Sequence, residues 1–212
     1  MSLLMDMTLK DFNNLLASST PAPGGGSTAA LSGVLASALT LMVANLSFGK
    51  KSYEALDENI KYKIAADYEA VKTLNKELAG LVDEDSIAFN QVMAAMKMPR
   101  ETEADRGCRA ESMEQAGQYA LRVPLTTAEK CLQILKHQID IARYGNKNTV
   151  SDIGVGALLA WAGLEGAVLN VKVNLPGIKD QAIKNDAEEK ISAYLVEGEQ
   201  LKDKILTIVD GR

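Results

Sequence analysis

The sequence predicts an all-α protein, a single-domain antiparallel bundle of long helices spanning residues 1–212. Aromatic residues make up only 5% of the chain, too few for a set of half-buried strands, while alanine and leucine abound. Apolar residues recur in steps of three and four, and no stretch alternates apolar with polar. A length of 212 residues suffices to bury one substantial core.

The elements follow in order. Thr8 with Asp11 is a capping pair that opens a short first helix through about Ala17. Pro21-Ala22-Pro23-Gly24-Gly25-Gly26-Ser27 then holds an extended entry, frees the backbone, and places Ser27 where an N-cap belongs. The second helix is expected over Ser27–Ser47. No charged residue occurs from Phe12 to Gly49, and Ser27, Ala30, Gly33, Ser37 and Thr40 form a small-residue seam on this helix. Gly49-Lys50-Lys51 reads as a loop. A long helix follows from about Tyr53 to Met96, bent near Gly80 and stopped by Pro99. The polar stretch Pro99–Gly107 reads as a loop, and a fourth helix as Cys108–Leu121. Pro124 either starts a fifth helix or kinks a continuous one, which ends near Tyr144-Gly145. Ser151 or Asp152 caps a sixth helix to about Val171, Pro176-Gly177 breaks the chain, and a final helix covers Asp180–Val209.

Composition narrows the function. A net charge of -5 argues against a general nucleic-acid surface. Cys108 and Cys131 are too few for a disulfide framework and fit a reduced, cytoplasmic setting. No signal sequence opens the chain, and Met1-Ser2-Leu3 ahead of the start-like Met5 reads as an expression remnant. Ser27–Ser47 is long enough to span a bilayer, but its seven hydroxyl and amide side chains and the lack of a second such segment favour burial inside protein, with no membrane partner. Burial on every side of that helix implies that a second subunit covers part of it. One histidine and two separated cysteines do not make a zinc site, so no metal is expected. Phosphate-loop and nucleophile-elbow motifs are also missing.

If the chain is an enzyme, what remains is carboxylic acid–base chemistry and positioning on a reactive substrate. Asp85 falls between Val82 and Phe89 within the apolar stripe Leu78, Leu81, Val82, Ala88, Phe89, Val92, Met96. An acid on an apolar face loses hydration, its pKa rises, and it becomes a proton donor; the same position also suits a groove-edge carboxylate or one paired with Arg or Lys. Asp83 and Glu84 lie off the stripe and are expected in solvent. Asp152 sits in the first turn of the sixth helix, where the dipole favours its charged form, either as a cation stabiliser or as a plain cap. Asn170 and Asn174, one turn apart, could bond a polar heterocycle or satisfy helix-end backbone groups. The Gly24, Gly25, Gly26 and Ser27 loop can receive a polar or anionic ligand group, or merely turn tightly over a packed helix. Lys50 and Lys51 could meet a carboxylated ligand or simply be solvated. His137 is expected at the surface, and Trp161 in the core or at an interface.

Several of these segments recur together in one known family. Pro21–Ser27, Met42–Lys51, Val82–Phe89, Val123-Pro124-Leu125, Ser151-Asp152 and Asn170–Leu175 stand in family order across nearly the whole chain. With them the chain resembles the cyclodeaminase domain of formiminotransferase-cyclodeaminase and the stand-alone methenyltetrahydrofolate cyclohydrolases of the same family. The resemblance implies a helical homodimer that acts on tetrahydrofolate one-carbon derivatives, with no bound prosthetic group. It implies that Asp85, the second acid of an Asp-x-Asp segment, is the proton donor. Asp152 would stabilise the cationic methenyl product. Gly24–Ser27 with Lys50 or Lys51 would hold the glutamate tail, and Ser151, Asn170 and Asn174 complete the expected binding set. The reaction expected first is conversion of 5-formiminotetrahydrofolate to 5,10-methenyltetrahydrofolate with release of ammonia. Hydrolysis of the methenyl compound to 10-formyltetrahydrofolate comes second, and a non-catalytic folate-binding or interaction dimer third. Nothing resembling a formiminotransferase precedes the first helix, so a deaminase of this form implies a separate formiminotransferase as functional partner.

Overall fold

A computed structural model describes residues 3–212. Met1 and Ser2 of the expected expression remnant lie outside the described residues. The described chain is helical throughout and contains no strand, as the sequence predicts: α1 Leu9–Leu16, α2 Gly25–Asn45, α3 Lys51–Glu54, α4 Glu58–Met96, α5 Glu103–Tyr144, α6 Val150–Asn174 and α7 Gln181–Asp210. One hydrophobic core draws on every long helix, including Val43, Leu78, Leu135, Leu164 and Ile205.

The centre of the bundle is the antiparallel pair α2 and α6, flanked by α4 and α5, with α7 packed on α5 and α6. Small residues let the pair close up. A Cβ at Gly163 would stand 2.8 Å from the Ala29 carbonyl oxygen and 2.9 Å from the Cys131 sulfur, and one at Gly33 would stand 2.8 Å from that same sulfur. Cys131 is therefore sealed where three helices meet, and burial pushes its thiol up to about 12. The small-residue seam is buried as expected, and its hydroxyls are satisfied at home: Ser37 donates to the Val34 carbonyl and Thr40 to the Ala36 carbonyl. The buried Gln138 donates to Thr40 Oγ1 at 2.8 Å, tying α5 to α2.

Several boundaries differ from expectation, each for a local reason. The N-cap of α2 is Gly24, which offers no side chain, and Ser27 lies inside the first turn with its hydroxyl used elsewhere. The helix expected from Tyr53 is broken, because Asp57 caps a fresh start by accepting from the Asn59 N–H at 2.8 Å. The loop expected over Pro99–Gly107 ends early, since Thr102 and Asp105 form a reciprocal capping box. From there α5 runs unbroken through Pro124. Thr149 precedes α6 without a side-chain cap, so Ser151 and Asp152 are first-turn residues rather than caps. Asp180 does cap α7, accepting from the N–H groups of Ala182 and Ile183. A second helix, α6, joins α2 in being long and apolar enough to cross a membrane by length and composition, where the sequence reading finds only one. About half of each apolar window is buried within the chain.

Candidate active site

The first turn of α2 meets the middle of α4 at Asp85. Its Oδ2 accepts from the Ser27 backbone N–H at 2.8 Å and from Ser27 Oγ at 3.1 Å. Ser27 Oγ also lies 3.3 Å from Ser86 Oγ. The carboxylate can lie there because residue 26 has no side chain: a Cβ on Gly26 would fall 1.9 Å from Asp85 Oδ1. Burial pushes the Asp85 carboxyl above the usual carboxylate range, and the two Ser27 hydrogen bonds pull in the opposite direction without cancelling that effect. The stripe reading of Asp85 as a poorly hydrated acid agrees with this geometry, and no Arg or Lys among the described residues pairs with it.

Asp85 opens into a cavity of about 380 Å³ whose walls come from four segments: the loop Pro21–Gly26, the α4 residues Phe89, Val92, Met93 and Met96, Ala120 on α5, and Asn170, Val173 and Asn174 on α6. That volume falls within the range of small-molecule sites, about 300–1,000 Å³. Phe89, Val92 and Met96 belong to the apolar stripe around Asp85 in the sequence, and they pack one wall of the cavity.

The two asparagines each do structural work. Asn170 Nδ2 donates to the Gly166 carbonyl at 2.9 Å. Asn174 Nδ2 donates to the Ala120 carbonyl at 2.7 Å. That carbonyl is the one a helical N–H at position 124 would bond, and Pro124 has none. Asn174 thus supplies the donor that Pro124 removes.

The other predicted site residues are not brought here. Lys50 and Lys51 follow the far end of α2, roughly 30 Å of helix from Gly25. Ser151 and Asp152 lie in the first turn of α6, roughly 27 Å of helix from Asn170. Within one chain the expected pairing of Asp85 with Asp152, and of the glycine loop with either lysine, does not form. The helical period places these residues on a face but says nothing about which end of the bundle they occupy. Asp83 corrects another expectation: it is half-buried and accepts the Leu4 N–H, anchoring the N-terminal segment to α4, while Glu84 is exposed as expected. His137 is half-buried, with Nδ1 2.7 Å from Asp67 Oδ1. Trp161 packs beside Gly198 under the Lys202 ammonium. No cluster of three or more metal-ligating side chains occurs among the described residues.

Comparison with known proteins places this geometry in a family context. The family model described as formiminotransferase-cyclodeaminase matches residues 8–193. A methenyltetrahydrofolate cyclohydrolase of Methylorubrum extorquens is 36% identical over 205 residues, covering 97% of both chains. The formimidoyltransferase-cyclodeaminase of Gallus gallus is 34% identical over 209 residues; the match takes in 99% of this chain and 38% of that longer protein. A crystal structure of formiminotetrahydrofolate cyclodeaminase from Thermotoga maritima superposes with a TM-score of 0.84 at 27% identity, covering 97% of each chain.

Proposed function

The chain belongs to the formiminotransferase-cyclodeaminase family, and from that premise we propose that it deaminates 5-formiminotetrahydrofolate to 5,10-methenyltetrahydrofolate. The observation that carries the reading is the placement of Asp85: an acid with its pKa raised by burial, held by Ser27 on the open face of Gly26, beside a cavity of substrate size. In this reaction N10 attacks the formimino carbon, the C=N π bond breaks as the C–N10 bond forms, and the N10 proton passes to the imino nitrogen. Asp85 donates its proton to the former imino nitrogen. The C–N bond breaks, ammonia leaves, and the N5–C–N10 bridge remains as a cation beside the new Asp85 carboxylate. An acid whose pKa burial raises above the usual carboxylate range suits this leaving-group step. Holding N5 and N10 in an attack-ready geometry supplies a further part of the rate.

The second reading is the cyclohydrolase, favoured by the full-length relative of that name. There water attacks the methenyl carbon, one of its protons goes to a carboxylate, and the bond to N5 opens as the remaining hydroxyl proton passes to N5 and the C=O forms. Purified protein given each substrate separately distinguishes the two. Ammonia release from 5-formiminotetrahydrofolate supports the deaminase; decay of methenyl absorbance without ammonia supports the hydrolase. Inactivity toward both leaves a folate-binding or interaction module.

We read the protein as a homodimer, with a separate formiminotransferase supplying the formimino substrate. Leu35 on α2 and Val155, Leu158, Leu169 and Val173 on α6 leave an apolar strip uncovered, with Val173 79% exposed. Such a strip on two nearly uncharged helices is the surface a second copy would bury. Sedimentation of Leu158→Glu beside the parent protein tests this: a parent dimer and a variant monomer are expected, and a parent that sediments as a monomer overturns it.

A further inference from the structure

Both cavity asparagines are oriented by their own hydrogen bonds. A carbonyl oxygen only accepts, so Nδ2 must face Gly166 in Asn170 and Ala120 in Asn174. With each amide nitrogen turned to the backbone, each side chain has one whole polar atom left, the acceptor Oδ1. The two residues are one turn apart on α6, about 6 Å along the axis, and both line the Asp85 cavity. Asn174 cannot rotate freely without abandoning the carbonyl that Pro124 leaves bare. The pairing of Pro124 with Asn174 therefore fixes the direction of the amide and leaves its acceptor Oδ1 wholly free.

We propose that Asn170 and Asn174 recognise the N–H edge of a reduced pterin, accepting from its ring N–H groups and its exocyclic amine. Two oxygens projecting a turn apart take donors separated by several ångström, as those on a pterin are and the single formimino N–H is not. A site built around acceptors discriminates against an analogue that lacks the donor, because the oxygen is then left desolvated and unpaired. This inference rests on the folate reading above and adds the orientation of the ring within it: the donor edge faces α6, while N5 and N10 lie toward Asp85 on α4.

The test uses 5-formyltetrahydrofolate, in which oxygen replaces the imino nitrogen, and its 2-desamino-2-methyl counterpart, with both affinities measured by calorimetry. The parent protein should prefer the amino ligand by about tenfold. Asn170→Leu, and Asn174→Leu made together with Pro124→Ala, should each bring that preference closer to unity. Pro124→Ala returns a helical donor to the Ala120 carbonyl, so the second variant can fold without an orphaned group. Tight binding of both ligands with no preference in the parent protein, or an unchanged preference in both variants, overturns the inference alone. Failure of the parent protein to bind 5-formyltetrahydrofolate overturns the folate reading, and this inference with it.

Discussion

The two ends of the α2–α6 pair are built from similar parts, yet their serines and asparagines are committed differently. Each end has a glycine-containing turn, a serine, an aspartate and an asparagine. At the Lys50 end the serine and the asparagine are spent on the fold. Ser47 Oγ donates to the Val43 carbonyl and accepts the Asn146 N–H at 2.8 Å, and Asn146 Nδ2 donates to the Leu46 carbonyl. The Arg212 guanidinium closes that end by donating to the carbonyls of Ala142 and Gly145. At the Gly25 end, Ser27 spends its hydrogen bonds on Asp85, and each asparagine bonds a carbonyl with its nitrogen alone. That leaves a carboxyl and two amide oxygens around an open cavity. A site is distinguished by unspent hydrogen-bonding capacity in a concave, poorly hydrated place; residue type alone does not mark it.

The most severe way to break this contrast is to remove the acid. Asp85→Asn should keep its helical circular dichroism and lose about 10²- to 10⁴-fold in ammonia release. Activity of the parent protein should fall as pH rises through the raised Asp85 value, because the donor must carry its proton. Stability follows the same sign. The folded state holds this proton more tightly than the unfolded chain, so the contribution of Asp85 is full at acid pH and lost as pH rises past the ordinary carboxylate range. Chemical denaturation of Asp85→Asn should therefore show a weaker decline toward alkaline pH than the parent.

Next in size is a pair of glycine replacements one residue apart. Gly26→Ala drives a methyl into the Asp85 carboxylate and should cost at least about tenfold in turnover. Gly25→Ala meets only the Asn170 amide, at 3.6 Å, an ordinary contact, and should stay within about threefold. Equal losses at the two positions would mean that the loop matters as a whole and the Gly26–Asp85 contact does not. The smallest effect is expected at the other end of the bundle. Lys50→Ala and Asp152→Asn should each change turnover by less than about threefold, since neither reaches the cavity in this chain. A loss at Asp152 comparable to that at Asp85 would show that the ends work together, through a second copy.

Periodicity carried much of this in the sequence. The apolar stripe isolates Asp85 from Asp83 and Glu84, and of the three it is Asp85 that lines the cavity. The Thr8–Asp11 cap and the Asp180 start stand where expected. Three kinds of fact were not legible. Which end of a helix a residue occupies relative to another helix depends on tertiary register, which is why Asp152 and the lysines join Asp85 in the motif set but not in space. The use of Ser27 as a ligand of Asp85 rather than a cap depends on a helix 58 residues away in sequence. The link from Pro124 to Asn174 needs two chain segments to meet before a missing donor can be seen to be replaced. Gly25 attracts attention as the middle of three glycines, but the steric demand falls on Gly26. Gly49 is the only described residue with positive φ.

The sulfur locked between Gly33 and Gly163 gives the molecule an internal clock. Cys108 is exposed and free to meet a thiol reagent at once, whereas Cys131 can react only when α2, α5 and α6 separate. The slow phase of labelling at Cys131 therefore times the separation of α2, α5 and α6. Any ligand that bridges α2, α4 and α6 should lengthen that phase, whether or not it is turned over.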